Sequence, residues 1–199
     1  MKNKQKKTLK NKALQNATKY VELYTPPYAV EILLPFIPDN VKTIWEPTDF
    51  GKSYITQVLK EAGYNVIPTH KNEGFDFIKN EPDFEYDIII TNPPYTIKDK
   101  FLERCYELGK PFALLMPLTA LEGKKRQKLY DKYGIQLIIP NKRIKFLKYI
   151  SNINKFIYLK NVWFATAWFT WGWGLEKDLN FVHMEEKILP EWKTAEKKF

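Results

Sequence analysis

At 199 residues, 44% of them hydrophobic and 16% aromatic, the chain is long enough to bury one substantial core and too short to expect a second domain. Its formal net charge of +9 favours a polyanionic partner, nucleic acid before membrane, because no stretch approaches the apolar length that spans a bilayer. One cysteine, Cys105, and no apolar signal core after Met1 argue against disulfides and secretion and for a cytoplasmic protein, and two histidines, His70 and His183, are too few for a dedicated zinc or iron site.

Residues 1–20 carry Lys2, Lys4, Lys6, Lys7, Lys10, Lys12 and Lys19 without an acidic residue. This reads as a basic arm, flexible or helical, ahead of a single domain over residues 21–199. In Tyr24-Thr25-Pro26-Pro27-Tyr28, Thr25 is placed as an N-cap and Pro26 at the first position of a short helix that ends by Pro35 and Pro38. Val41 to Trp45 has a strand's pattern and runs into Glu46-Pro47-Thr48-Asp49-Phe50-Gly51-Lys52-Ser53. Ile55, Val58, Leu59 and Ala62 then recur at helical spacing as far as Gly63, and Asn65 to Thr69 returns as a strand. The result is a βαβ unit with a right-handed crossover. Gly51-Lys52-Ser53 resembles the end of a phosphate-binding loop, but that motif needs a glycine where Glu46 stands, so a nucleoside triphosphatase is excluded.

The next strand is the centre of the chain. Ile88, Ile89 and Ile90 are uninterrupted and β-branched, as a strand covered on both faces requires, and the run stops abruptly in Asn92-Pro93-Pro94-Tyr95. Neither proline donates to a ladder and each holds its predecessor out of the α region, so the backbone leaves the sheet stiff and extended. In an open α/β sheet ligands bind at the carboxyl ends of central strands, which places an amide, two carbonyls and an aromatic ring at the expected site. A helix follows, with Ile97, Phe101, Leu102, Cys105 and Leu108 on one stripe, Cys105 in the core, and Gly109 at its end. Pro111 to Leu118 is another buried strand, then comes a basic helix with Lys124, Lys125, Arg126 and Lys128, the strand Ile135 to Ile139, and a second basic cluster of Lys142, Arg143, Lys145 and Lys148. These clusters are either solvated faces or a phosphate track. Asn161 to Trp173 alternates with apolar side chains on both sides, so Trp163, Trp168 and Trp171 are expected in the core rather than on a base-stacking surface. Leu179 to His183 adds a last strand.

Taken in order, Tyr24-Thr25-Pro26-Pro27, Glu46-Pro47 with Gly51, Asp76-Phe77 and Asn92-Pro93-Pro94-Tyr95 resemble the adenine-N6 branch of class I S-adenosylmethionine-dependent methyltransferases. Over roughly residues 20–175 the chain is similar to small phage or prophage members that lack a target-recognition domain. The resemblance implies an α/β, Rossmann-like sheet, mostly parallel with an antiparallel strand near the C-terminus and helices on both faces. It implies S-adenosylmethionine as cofactor, its methionine part held by Tyr24, Thr25, Pro26, Glu46, Pro47 and Gly51, its adenine by Asp76 and Phe77, and its ribose by His70, where the family has an acidic residue. Asn92, Pro93, Pro94 and Tyr95 would be the catalytic loop.

The chemistry supports that loop on its own terms. An exocyclic adenine amine is a poor nucleophile because its lone pair is delocalised into the ring. Acceptors aimed at both amine hydrogens, the Asn92 side-chain oxygen and the Pro93 carbonyl, favour the tetrahedral form that attacks a methyl group. Tyr95 would stack on a flipped base, a contact worth about 1–3 kcal/mol and comparable with the cost of unstacking it. The expected substrate is DNA, less readily RNA, gripped by Lys124, Lys125, Arg126, Lys142 and Arg143, with specificity from a short contact set, a homodimer or a partner protein. The alternative is a catalytically silent protein of the same fold that binds nucleic acid or a host protein, because Phe50 and Lys52 flank Gly51 where the family has glycines.

Overall fold

In a computed structural model, the structure describes residues 23–159 and 162–185; the basic arm expected over residues 1–20 lies outside them. The first βαβ unit is β1 (Thr43–Glu46), α2 (Tyr54–Glu61) and β2 (Asn65–Pro68), preceded by the short α1 (Pro27–Glu31). β3 (Ile88–Thr91), α3 (Lys98–Leu108), β4 (Phe112–Pro117), α4 (Lys124–Tyr133) and β5 (Gln136–Pro140) continue the alternation. A hairpin of β6 (Leu147–Ile150) and β7 (Lys155–Tyr158) interrupts it before β8 (Thr166–Trp171) and β9 (Leu179–Val182).

Seven strands form one sheet in the order β2-β1-β3-β4-β8-β5-β9. β1, β2, β3 and β4 are parallel, β8 runs antiparallel between β4 and β5, and β9 lies parallel to β5. This is the Rossmann-like α/β sheet expected, with its antiparallel strand near the C-terminus. Because β2 lies on one side of β1 and β3 on the other, strand order reverses at β1, and the carboxyl ends of β1 and β3 flank the switch point where such sheets bind ligands.

Both faces of the sheet are covered, so its central strands carry apolar side chains on both sides rather than alternately. Ile44, Ile88, Ile90, Ala113, Leu115 and Trp168 face one way, against Val30 and Leu33 near α1 and Ile55, Val58 and Leu59 of α2. Trp45, Ile89, Phe112, Leu114, Met116 and Phe169 face the other, against Phe101, Leu102, Cys105 and Tyr106 of α3. The two fully buried indoles are satisfied: the Trp168 N–H donates to the Ala29 carbonyl at 2.7 Å, and that of Trp45 to the Thr69 hydroxyl at 2.9 Å. Cys105 is fully buried and burial pushes its thiol up, as a core residue should behave. Among the described residues no helix is long and apolar enough to cross a membrane.

Two expectations shift and one element was unforeseen. The first helix begins at Pro27, with Pro26 as its N-cap, so Thr25 caps nothing and its buried hydroxyl has no partner. β8 begins only at Thr166, because β4 ends opposite it at Pro117 and offers no ladder further along. Trp163 is therefore not in the core but 80% exposed. The hairpin carries two short β-prone runs around Ser151-Asn152-Ile153-Asn154, and Asn154 takes the left-handed conformation at φ 49°.

α3 ends at Gly109, also left-handed at φ 65°, where an added Cβ would meet nothing within 4 Å. Gly109→Ala should therefore express backbone strain alone, and destabilise the protein by about 1 kcal/mol in urea unfolding.

Candidate active site at the strand carboxyl ends

The end of β1 carries a carboxyl group out of water. Glu46 is fully buried, and one of its oxygens, Oε1, accepts from the Thr48 amide at 3.0 Å, the Thr48 hydroxyl at 2.7 Å and the Thr91 hydroxyl at 2.6 Å. The two hydroxyls also lie 2.8 Å apart. Oε2 has no hydrogen-bond partner in the protein. Burial, and next the neighbouring charge of Asp49, push the Glu46 carboxyl up to about 7 against the opposing hydrogen bonds from Thr91 and Thr48. Thr91 is the last residue of β3, so this network ties together the two strands that flank the switch point.

Beyond Glu46 the chain turns on a second carboxylate. Asp49 Oδ1 accepts the amide protons of Gly51, Lys52 and Ser53 at 2.7, 2.8 and 2.9 Å, and the Ser53 hydroxyl in turn caps α2 through the Ile55 amide. Gly51 adopts φ 89° to make the turn, and open space surrounds it. The amides that a phosphate-binding loop would offer are thus occupied from within, which explains physically why the Gly-Lys-Ser triplet does not serve that purpose.

The loop after β3 is half open. Pro93 is buried and Pro94 exposed, with Asn92 and Tyr95 between those extremes. The Asn92 amide donates through Nδ2 to the Leu23 carbonyl at 2.8 Å, and this fixes which way its oxygen points. Asn92 Oδ1 is buried and has no partner in the protein. The Tyr95 ring is held edge-on by Phe146 and Phe164, at 6.3 and 5.6 Å between centroids, with neither ring stacked face to face on it. Burial drives its hydroxyl well above the ordinary phenol value, so it remains neutral.

Four motif residues therefore leave a buried polar atom unpartnered: Thr25 Oγ1, Glu46 Oε2, Asn92 Oδ1 and the Tyr95 hydroxyl. Buried polar atoms are mostly paired, so each of these is an atom whose bonding a ligand could complete.

The remaining predicted residues fall into distinct settings. Pro26 and Pro47 are buried, and Tyr24 is half-buried and bridged through its backbone to Leu147 of the hairpin. The His70 ring lies 4.7 Å from that of Phe50, and its Nδ1 accepts the Asn72 amide at 3.0 Å, leaving Nε2 as the donor. Asp76 accepts the Ile78 amide at 3.1 Å and pairs with Lys71 at 3.5 Å. Phe77 is 2% exposed, stacked on Phe101 and edge-on to Trp45; its ring belongs to the core rather than to a ligand face. Of the cations, Lys124, Lys125, Lys142 and Arg143 are exposed and follow the carboxyl ends of β4 and β5, on the same edge of the sheet as Asn92. Arg126 is different. It donates to the Ala120 and Glu122 carbonyls and pairs with Asp99 at 2.7 Å, so it braces the start of α3 against the loop after β4 instead of facing solvent.

Sequence reasoning missed Thr48 and Thr91, the hydroxyls on Glu46, and Phe146 and Phe164, the supports of Tyr95. It also missed the hairpin, which packs Phe156 against Tyr24 and Tyr54 at 5.0 Å each and sets the Tyr149 ring 3.7 Å from Lys52 Nζ. Thr91 at the last strand position before Asn92 was the one local signal, since a polar residue ending an all-apolar strand needs a partner.

Neither the protein-family models nor the curated protein sequences contain a match to this chain. Among solved structures it is similar to the methyltransferase subunit of a type I restriction-modification system from Streptococcus thermophilus, with 15% identity and a TM-score of 0.52. That match covers 82% of this chain and 47% of the other, so the chain spans about half the length of the streptococcal subunit. It is also similar to an S-adenosylmethionine-dependent O-methyltransferase from Thermotoga maritima, with 13% identity and a TM-score of 0.42 over 87% of this chain and 71% of that one. The first likeness carries the statement about fold: the chain has the Rossmann-like architecture found in methyltransferases.

Proposed function

We propose that the chain transfers a methyl group from S-adenosylmethionine to the exocyclic amine of an adenine in nucleic acid, DNA before RNA. The observation that carries this reading is the Asn92 side chain. Its amide nitrogen is tethered to Leu23, and its oxygen is buried with nothing to accept from. An acceptor fixed in advance and left unpaired is suited to an N–H that arrives with the substrate, and it costs no reorganisation when the amine develops positive charge. The Pro93 carbonyl takes the second hydrogen, and Tyr95, neutral and gripped by two phenylalanines, supplies the surface on which a planar base rests. Bound S-adenosylmethionine supplies the electrophilic methyl group.

Tyr24, Thr25 and Pro26 together with Glu46, Pro47 and Gly51 would hold its methionine part, where unpartnered Glu46 Oε2 and Thr25 Oγ1 fit an ammonium group. Asp76 would receive the adenine amine and His70 Nε2 would donate to one ribose hydroxyl. Lys124, Lys125, Lys142 and Arg143 would follow the phosphates. Their contribution predicts affinity that falls steeply with added salt.

Incubation with methyl-labelled S-adenosylmethionine and separate pools of DNA, RNA and protein tests the proposal. Label is expected in nucleic acid as N6-methyladenine; label in protein alone, or at another atom of the base, rejects it. A specific feature favours the silent alternative: Lys52 and Phe50 occupy the neighbourhood of Gly51, with Lys52 drawn onto Tyr149 and Phe50 onto His70. Calorimetric titration with S-adenosylmethionine separates the two, because the silent protein would give no heat of binding.

A further inference from the structure

We infer that Trp163 is a stacking platform for a nucleic-acid base beside the one that enters the site. The inference rests on the proposed nucleic-acid substrate and adds the residue that would steady the strand. Trp45 and Trp168 are wholly buried and Trp173 is 6% exposed, whereas Trp163 stands 80% in water. Its position is set by the sheet. The Leu118 amide donates to the Ala165 carbonyl at 2.9 Å and Pro117 pairs with Thr166, so the residues just before β8 lie at the carboxyl end of β4, the edge that also carries Asn92.

Rings connect it to the catalytic loop. The indole meets Phe164 edge-on at 5.5 Å, and Phe164 meets Tyr95 edge-on at 5.6 Å. Phe146 packs on both Phe164 and Tyr95, at 6.1 and 6.3 Å, and it closes the loop that displays Lys142 and Arg143. Residues 141–146 contain no acidic side chain, and neither Lys142 nor Arg143 has a carboxylate partner among the described residues. An exposed flat ring on the sheet edge that also displays Lys142 and Arg143 matches a strand that offers phosphates and bases in alternation. The formal net charge of +9 and the exposed Lys142 and Arg143 on the same edge make nucleic acid a better occupant than a protein partner.

The test compares Trp163→Ala and Trp163→Phe in the full chain. Affinity for a fluorescein-labelled single-stranded deoxyoligonucleotide containing adenine is read by anisotropy, alongside the KM and kcat of methyl transfer. Trp163→Ala should weaken binding roughly fivefold or more and raise KM accordingly, and Trp163→Phe should restore most of the loss. kcat at saturation and affinity for S-adenosylmethionine should not move. Quenching of tryptophan fluorescence by the unlabelled oligonucleotide should be clear in the wild type and largely lost in Trp163→Phe, a readout that a merely structural role would leave alone. Unchanged affinity in Trp163→Ala, or unchanged quenching in Trp163→Phe, overturns the platform while leaving methyl transfer intact. Weakened binding in a protein that transfers no methyl group keeps the platform and sinks the catalytic reading instead.

Discussion

Asn92→Ala is expected to reduce methyl transfer by about two to three orders of magnitude in kcat, the scale seen when one preorganised polar group is removed from a site of developing charge. The fold should survive. The substitution removes one half-buried hydrogen bond, to the Leu23 carbonyl, worth about 1 kcal/mol, and leaves the stiff Pro93-Pro94 backbone in place. Affinity for S-adenosylmethionine should stay within about twofold, since Asn92 is proposed to meet the base and not the cofactor. Asn92→Asp sharpens the test. It keeps an acceptor but gives up the Nδ2–H that anchors the group, so turnover should fall less than in Asn92→Ala. Undiminished turnover in Asn92→Ala would remove the acceptor from the mechanism, and equal loss in both variants would mean that the tether to Leu23 matters more than the oxygen.

Glu46→Gln should change how stability depends on pH. Glu46 Oε1 accepts from the hydroxyls of Thr48 and Thr91 and from the Thr48 amide, bonds that favour the charged form. Burial, and next the charge of Asp49, outweigh those bonds and push the carboxyl up. In the unfolded chain the carboxyl loses its proton near the ordinary value of 4.5, and in the folded protein only near 7. Between those points the unfolded state holds fewer protons, so the contribution of Glu46 to stability is full below about pH 4.5 and declines as pH rises through 7, by on the order of 3 kcal/mol. Asp87 works in the opposite sense, its carboxylate held below the usual range by the Thr43 and Lys42 amides, so the wild-type curve alone is a mixture. The difference between wild type and Glu46→Gln isolates one group. Urea unfolding should show little advantage for the variant near pH 5 and a gain of a few kcal/mol near pH 8. An offset that does not vary with pH would show that Glu46 ionises as freely when folded as when unfolded.

How far the sequence could be read depended on whether a residue's neighbours were local. Ile88 to Ile90 declared a strand covered on both faces because nothing but a double-sided sheet hides three successive β-branched side chains, and α3 announced itself through Phe101, Leu102, Cys105 and Gly109. Trp163 misled because alternation continues past the point where β4 ends, and the end of a neighbouring strand is written elsewhere in the chain. Phe77 misled for a similar reason: its ring is claimed by Trp45 and Phe101, one from β1 and one from α3. Arg126 looked like the other cations of its cluster until Asp99 and two carbonyls took up its guanidinium. Thr25, read as a helix cap, acquires more interest by failing to cap, for its buried hydroxyl is left without a partner.

The three amides gathered by Asp49 bear on which adenosine compound the proposed pocket would accept. Adenosine di- and triphosphates and S-adenosylmethionine share the same base and sugar, and differ in the sign of what hangs from the fifth carbon. With those three amides already taken by an internal carboxylate, a polyphosphate tail would find none of them free to donate. If the pocket is the one proposed, selection against polyphosphates would begin in the turn after β1, before any contact with the shared base and sugar.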